Sequence, residues 1–317
     1  MAPKVSIAIP VYNGGNFVVQ AIQSAVEQDL QDIEVIVCDN ASNDRTPEIC
    51  RAFARRWPNV EYHRNPRNIG AGPNFNKAFH LSTGKYFQWV AHDDWLSANY
   101  ARRCAKALDQ APDAVLAHGV TQCVNEAGRP IDRVGRPLRG LQAESPLERF
   151  ATVINGGLAC FEIFGLIASE ALSKTDLHQS YQGSDRALLA ELALLGMFVH
   201  VPDAQLFNRE HQGRSIRIND RRERLRWQDE RSARQVRFPR WSLLRHYLRL
   251  VFKHLDGADR IRGLLLVARW ATRRKPLLQL AVDLVWVISP SAAIRLRKFA
   301  WELWWRYRSI RPAHARR

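Results

Sequence analysis

Three polar clusters each follow a short apolar run: Pro10-Val11-Tyr12-Asn13 after residues 5–9, Asp39-Asn40 after 34–38, and His92-Asp93-Asp94 after 86–91. The residue types suggest what such clusters can do. An ionised carboxylate only accepts hydrogen bonds, so Asp39 can receive a ring N–H. Asp93 and Asp94 offer the oxygen ligands that magnesium or manganese takes, and one or two carboxylates suffice when a phosphate completes the shell. Further on, Asp185 stands in Gly183-Ser184-Asp185-Arg186 at a helix start, and Arg209-Glu210-His211 follows a short strand candidate. Each has a plainer explanation. Asp39 could initiate a turn, Asp93 and Asp94 could be a solvated pair, and Asp185 could cap a helix. The basic cluster at 209–211 could simply close a strand.

The intervening chain alternates strand and helix signals. Helical spacing covers 17–28, with Val18, Ile22 and Val26 on one face. Thr46-Pro47 reads as an N-cap followed by proline at the first helical position, opening a helix to about Trp57. Strand 60–63, helix 75–81, strand 86–91 and a helix around 98–110 continue the pattern. Such alternation predicts an α/β fold, a mostly parallel sheet covered by helices. Ligands in these sheets bind beyond the carboxyl ends of the strands, where all three clusters fall. Residues 126–150 read as a loop or hairpin region, 184–196 as a helix opened by Ser184, and 198–201 and 205–208 as short strands. Trp89 and His118 are expected in the core or a pocket wall.

No G-x-G-x-x-G follows the first strand, so a hydride-transfer dinucleotide enzyme is disfavoured, and no P-loop is present. The order VSIAIPVYNGG, IEVIVCDNASNDRT and NIGAGPNFNKAFHLSTGKYFQWVAHDDW resembles the inverting family-2 glycosyltransferases of the GT-A fold, closely over residues 4–110. The likeness continues more loosely through QGSDRALLAEL and NREHQGRS to about 215. It implies a Rossmann-like catalytic domain over 1–217, with a nucleotide-sugar half to about 125 and an acceptor half from 126. Under it, Asp39 accepts from the nucleotide base. Uracil and thymine carry the N3–H that a carboxylate wants, which favours a UDP- or dTDP-sugar. Pro10, Tyr12, Asn13, Asn68 and His92 would shape the nucleotide pocket, with Asn74 a further candidate. Asp93 matches the metal-binding carboxylate of the usual D-S-D-D, although Ala91 and His92 replace its first two residues; Asp94 is a second candidate. His211 would approach the metal, with Arg209 beside it. Asp185 would be the general base in an inverting transfer to a glycan or lipid-linked acceptor in cell-surface polysaccharide synthesis. A catalytically silent nucleotide-sugar scaffold and a basic membrane-binding adaptor are the alternatives.

The formal charge of +16 is not evenly spread. Residues 1–215 hold 21 Lys and Arg against 23 Asp and Glu, whereas 216–317 hold 26 against 8 and seven of the ten Trp. Residues 218–317 therefore read as a basic helical tail. An apolar face through Leu243, Leu244, Tyr247, Leu248, Val251, Phe252 and Leu255 opposes Arg245, His246, Arg249 and Lys253. A final helix would align Leu296, Phe299, Leu303 and Tyr307 opposite Arg295, Lys298 and Arg306. Exposed Trp beside cations suits an anionic bilayer surface, and nucleic acid is not expected. The run 277–288 is short and interrupted by Asp283, so docking would be peripheral. No apolar leader precedes the first strand, and the five cysteines have neither disulfide nor zinc spacing. A cytoplasmic chain on the inner face of the membrane is expected.

Overall fold

The computed structural model describes residues 2–135, 137–156, 160–218, 220–229, 238–289 and 291–296. Its chain divides into two compact units, Met1–Gln235 and Val236–Arg317.

In the first unit, β1 (Val5–Val11), α1 (Val18–Val26), β2 (Ile33–Asp39), α2 (Thr46–Arg56), β3 (Val60–Arg64), α3 (Ala71–His80) and β4 (Tyr86–Trp89) alternate as expected. Every residue of β1 is buried because β2 and β4 flank it and helices cover both faces. That is why its sequence is a continuous apolar run rather than an alternating one. Pro10 does not stop the strand. Its register partner is Cys38 on β2, and pairing with β4 has already ended opposite Ala8, so the missing N–H breaks no ladder. A short β5 (Trp95–Leu96) and α4 (Tyr100–Gln110) follow.

The remaining elements are β6 (Ala114–Val124), β7 (Pro130–Gly135), α5 (Pro146–Asn155), β8 (Leu166–Ala168), α6 (Ser169–Ser173), α7 (Ser184–Leu195), β9 (Met197–Arg209) and α8 (Arg221–Gln228). The sheet runs β3-β2-β1-β4-β8-β6-β9-β5, with β7 beside β6. The flank carrying β1 to β4 is parallel throughout; β8, β7 and β5 join antiparallel, while β6 and β9 pair parallel. The two short strands expected at 198–201 and 205–208 are one strand. A register shift against Gly119 and Val120 absorbs the extra residues around Pro202. Helix α8, placed in the tail by composition, belongs to the first unit. Its C-terminal end lies against Gly70, where a Cβ would come within 2.4 Å of the Asp229 backbone. Gly70 also has φ of 91°, so glycine is required there on both counts.

In the second unit, α9 (Pro239–His254), α10 (Gly257–Thr272) and α11 (Arg274–Ile288) pack together. Tyr247 meets Trp270 edge-on at 5.1 Å, and Gly263 lets α10 approach Val251 and Leu255. Asp283, the interruption in the apolar run, is buried and accepts Arg240 N–H at 2.8 Å at the start of α9. The expected faces of α9 need adjustment: His246 is buried, and Phe252 is 55% exposed. The buried arc through Leu243, Tyr247 and Leu250 is centred so that Phe252 falls roughly 140° away from Tyr247. The expected final helix through Phe299, Leu303 and Tyr307 lies outside the described residues.

Candidate active site

The parallel register sets the site. Val11 stands opposite Asp39, and Asp39 opposite Arg64, so β1, β2 and β3 end at one level. Ala8 stands opposite Trp89, which carries His92, Asp93 and Asp94 just past the same edge.

At the first strand end, Tyr12 is exposed and Asn13 takes φ of 52°. Asn13 N–H donates to Ser42 Oγ at 2.9 Å, and its side-chain oxygen accepts Asn43 N–H at 2.9 Å. Gly14 donates to Thr46 Oγ1, and a Cβ on it would meet the His92 ring at 2.6 Å. This close approach couples the first strand end to the third.

Asp39 is fully buried. Its Oδ1 accepts Ser42 N–H at 2.8 Å; its Oδ2 accepts Tyr62 OH at 2.6 Å and lies 3.3 Å from Arg64 Nε. Three donors leave one lone pair, on Oδ1. Behind it, Asn40, Asn65, Asn68 and Asn74 form an amide network. Asn65 donates to both Asn40 and Asn74, Asn40 donates to Asn68, and Asn74 donates to the Cys38 carbonyl. The amides of Asn68 and Asn74 are thus engaged in holding the 65–70 loop against β2.

Asp93 Oδ2 lies 2.9 Å from His211 Nε2, across 118 residues of sequence. Burial works to raise the Asp93 carboxyl, but His92 and the hydrogen bond from His211 outweigh it and lower it. Asp94 moves the other way, raised first by burial and then by Asp93. A divalent ion would replace the Asp93–His211 hydrogen bond: with the ring proton on Nδ1, His211 Nε2 and Asp93 Oδ2 become two cis ligands, which at bonds of about 2.1 Å sit about 3 Å apart. Arg209 is buried between Phe17 and Trp95, with its guanidinium 4.8 and 4.7 Å from their ring centroids. It donates to the Asp93 and Glu126 carbonyls and to Gln20.

Asp185 lies in the first turn of α7. Gly183, with φ of 94°, is the N-cap of α7, so Ser184 is its first residue and not its cap. Asp185 Oδ1 accepts Arg186 N–H at 2.8 Å, and its Oδ2 accepts no hydrogen bond among the described residues. Its charge opposes the effect of burial on His178, whose ring is nonetheless held at about 4. His178 packs 4.9 Å from Trp89, the last residue of β4. Asp185 and β4, which leads to Asp93, therefore share His178 as a neighbour. Sequence reading missed His178, Tyr62 and Arg64; nothing in their spacing distinguishes them from ordinary strand and loop residues.

The family model described as Glycosyl transferase family 2 matches residues 6–161. Chondroitin synthase of Escherichia coli is 35% identical over 134 residues, which is 42% of this chain and 18% of that protein. An uncharacterized glycosyltransferase of Rickettsia prowazekii (strain Madrid E) is 39% identical over 93 residues, 29% of this chain and 28% of that one. The matched stretch thus spans less than a third of either relative. Among solved structures, S. aureus TarS 1–349 in complex with UDP-GlcNAc superposes with TM-score 0.63 at 15% identity, covering 88% of this chain and 79% of that one. Mannosyltransferase PcManGT from Pyrobaculum calidifontis, in complex with GDP-Man and Mn2+, superposes with TM-score 0.56 at 18% identity, covering 98% and 83%. These likenesses establish the GT-A fold.

Proposed function

The chain belongs, through residues 6–161, to the family-2 glycosyltransferases, and we propose that it transfers one sugar with inversion from a UDP- or dTDP-sugar to a glycan or lipid-linked acceptor. The observation that carries this reading is the convergence of Asp39, Asp93 and His211 at one strand-end edge, with Asp93 and His211 2.9 Å apart.

Asp39 binds the base through its remaining lone pair, taking N3–H of uracil or thymine. Arg64 lies 3.3 Å from Oδ2 and donates to the Ser42 carbonyl at 2.8 Å, which leaves Oδ1 as the acceptor for the base. Asp93 and His211 would hold manganese or magnesium, which would supply charge neutralisation on the departing diphosphate. Asp185 Oδ2 takes the proton of the acceptor hydroxyl as that oxygen bonds to C1 and the C1–diphosphate bond breaks. A cell-surface polysaccharide is the acceptor class we favour.

The second unit is proposed to dock on an anionic membrane surface. Ile261 and Leu265 on α10 and Leu277, Leu284, Val287 and Ile288 on α11 are exposed, beside Arg262, Arg269 and Arg273. No helix among the described residues is long and apolar enough to cross a membrane, so contact would be with the interface.

A thermal-shift screen of UDP-, dTDP- and GDP-sugars, with and without Mn2+, tests the donor reading. Stabilisation by a UDP- or dTDP-sugar that grows with Mn2+ is expected. Stabilisation by a GDP-sugar alone would overturn the base assignment.

A further inference from the structure

We infer that Asp94 is a positioning residue, not a cation ligand, and that with Arg209 it latches the 91–94 loop to the end of β9 so that His211 meets Asp93. The inference rests on the reading of Asp93 and His211 as the cation site.

Both Asp94 oxygens point into the protein. Asp94 is 2% exposed; Oδ1 accepts Arg209 N–H at 2.8 Å, and Oδ2 accepts Asn208 Nδ2 at 2.9 Å. Its own N–H donates to the Ala91 carbonyl at 3.0 Å, closing the turn that carries Asp93. The bond to β9 is returned: Arg209 Nε donates to the Asp93 carbonyl at 3.0 Å. Each segment thus gives a side chain to the other's backbone. The Arg209 guanidinium is itself fixed between Phe17 and Trp95, and Phe17 also packs 4.7 Å from the His211 ring.

The need for a latch follows from sequence. Ala91 occupies the place where the usual motif has its first aspartate, so the partner of Asp93 comes from a segment far along the chain. Two ligands on separate segments serve one ion only if their offset is held to about half an ångström. An exposed loop would not hold it. Two buried, mutually satisfied charged side chains do, since shifting either strands an unpaired polar group in the interior.

The test is a reciprocal exchange. Asp94→Asn keeps the shape but sets an NH2 against either Arg209 N–H or Asn208 Nδ2. Adding Asn208→Asp restores the pattern in reverse: the amide oxygen at 94 accepts Arg209 N–H, and its NH2 donates to the carboxylate at 208. Arg214, which donates to Asn208 Oδ1 at 3.0 Å, suits that carboxylate too. Mn2+ affinity is read by paramagnetic resonance in the presence of UDP, UDP affinity by calorimetry without cation, and folding by circular dichroism. Asp94→Asn is expected to weaken Mn2+ binding about tenfold or more, the usual penalty for disturbing a ligand's supporting partner, with UDP affinity unchanged. The double variant is expected to return to within about threefold of wild type. If it binds Mn2+ as poorly as the single variant, the carboxylate is needed at position 94 itself and the latch is wrong. Wild-type Mn2+ affinity in Asp94→Asn also overturns it. Should the single variant fail to fold, the double variant against wild type still decides. Wild-type protein that takes up no Mn2+ with UDP removes the cation reading, a separate failure that takes the latch with it.

Discussion

At the strand-end edge, Asp39, Asn40, Asn65, Asn74, Asp94, Asn208 and Arg209 are all buried, and each is held by hydrogen bonds to named partners. In the helical unit the situation is inverted: Ile261, Leu265, Leu284 and Ile288 stand exposed while Asp283 is buried. Burying a satisfied polar network adds little net stability, but it fixes orientation, because every displacement costs an unmade bond. Exposing an apolar stripe fixes nothing; its free energy is recovered only when another surface covers it. The first arrangement suits a site that must be ready before its ligand arrives. The second suits a surface completed by what it meets.

The largest expected effect separates chemistry from preorganisation. Asp185→Asn removes proton acceptance while keeping volume, and α7 keeps its Gly183 cap. Transfer should fall about 10²- to 10⁴-fold, with donor affinity nearly unchanged. Turnover close to wild type in a coupled UDP-release assay would take Asp185 out of the mechanism.

Next is the interior of the first unit, where not every polar group is as well placed as those at the edge. His118 on β6 stands opposite His200 on β9, with ring centroids 5.2 Å apart. Burial, then repulsion from His200, holds His118 at about 4, below the ordinary imidazole value of about 6.5. Above pH 6.5 it is neutral in folded and unfolded chains alike. Between 6.5 and 4 only the unfolded chain takes the proton, so stability falls as pH falls through that window, by at most about 3 kcal/mol. Melting curves at pH 7.5 and 4.5 should show a smaller acid-induced drop for His118→Gln than for wild type. An equal drop would assign the acid sensitivity elsewhere.

A smaller effect is expected at Asp39. Replacing it by Ala removes a charge-assisted hydrogen bond worth about 1.5–3 kcal/mol, so UDP affinity should drop tenfold or more. A ribose-free sugar phosphate should bind as before. Calorimetry showing unaltered UDP affinity would break the base assignment, and Tyr62 or Arg64 would then be the next residue to vary.

How much of this was legible differs between the regions for physical reasons. The strand ends were readable because apolar runs and the polar residues after them are local signals. They located Asn13, Asp39 and Asp93 before any contact was known. The amide network, Tyr62 and Arg64 were not readable, because their partners are set by register across β2 and β3. β6 went unseen because Gly119, His118 and Thr121 break its apolar run, though β8 and β9 flank it and α4 and α7 pack against it. Helix α5 was missed despite a local start signal: Ser145 Oγ accepts Glu148 N–H, with Pro146 in the first turn. In the second unit, periodicity found α9 but not the centre of its buried arc, which depends on where α10 and α11 lie.

The smallest expected effect tests the helical unit one charge at a time. Arg269 and Arg273 are exposed near the end of α10, in line with the exposed apolar residues Ile261 and Leu265. A basic residue near an anionic bilayer contributes about 1 kcal/mol, so Arg269→Gln should weaken binding to phosphatidylserine-containing vesicles about fivefold. The loss should shrink as salt rises, because the interaction decays within a Debye length of about 8 Å at physiological ionic strength. Leu265→Ser should lower binding at low and high salt alike, since apolar insertion is not screened. Co-sedimentation of the full chain and both variants at two salt concentrations separates the contributions. If neither variant differs from wild type while the protein does bind vesicles, the exposed stripe of α10 is not the contact. If the full chain does not bind anionic vesicles at low salt, the contrast between the two regions loses its functional meaning, and the exposed apolar residues await a protein partner.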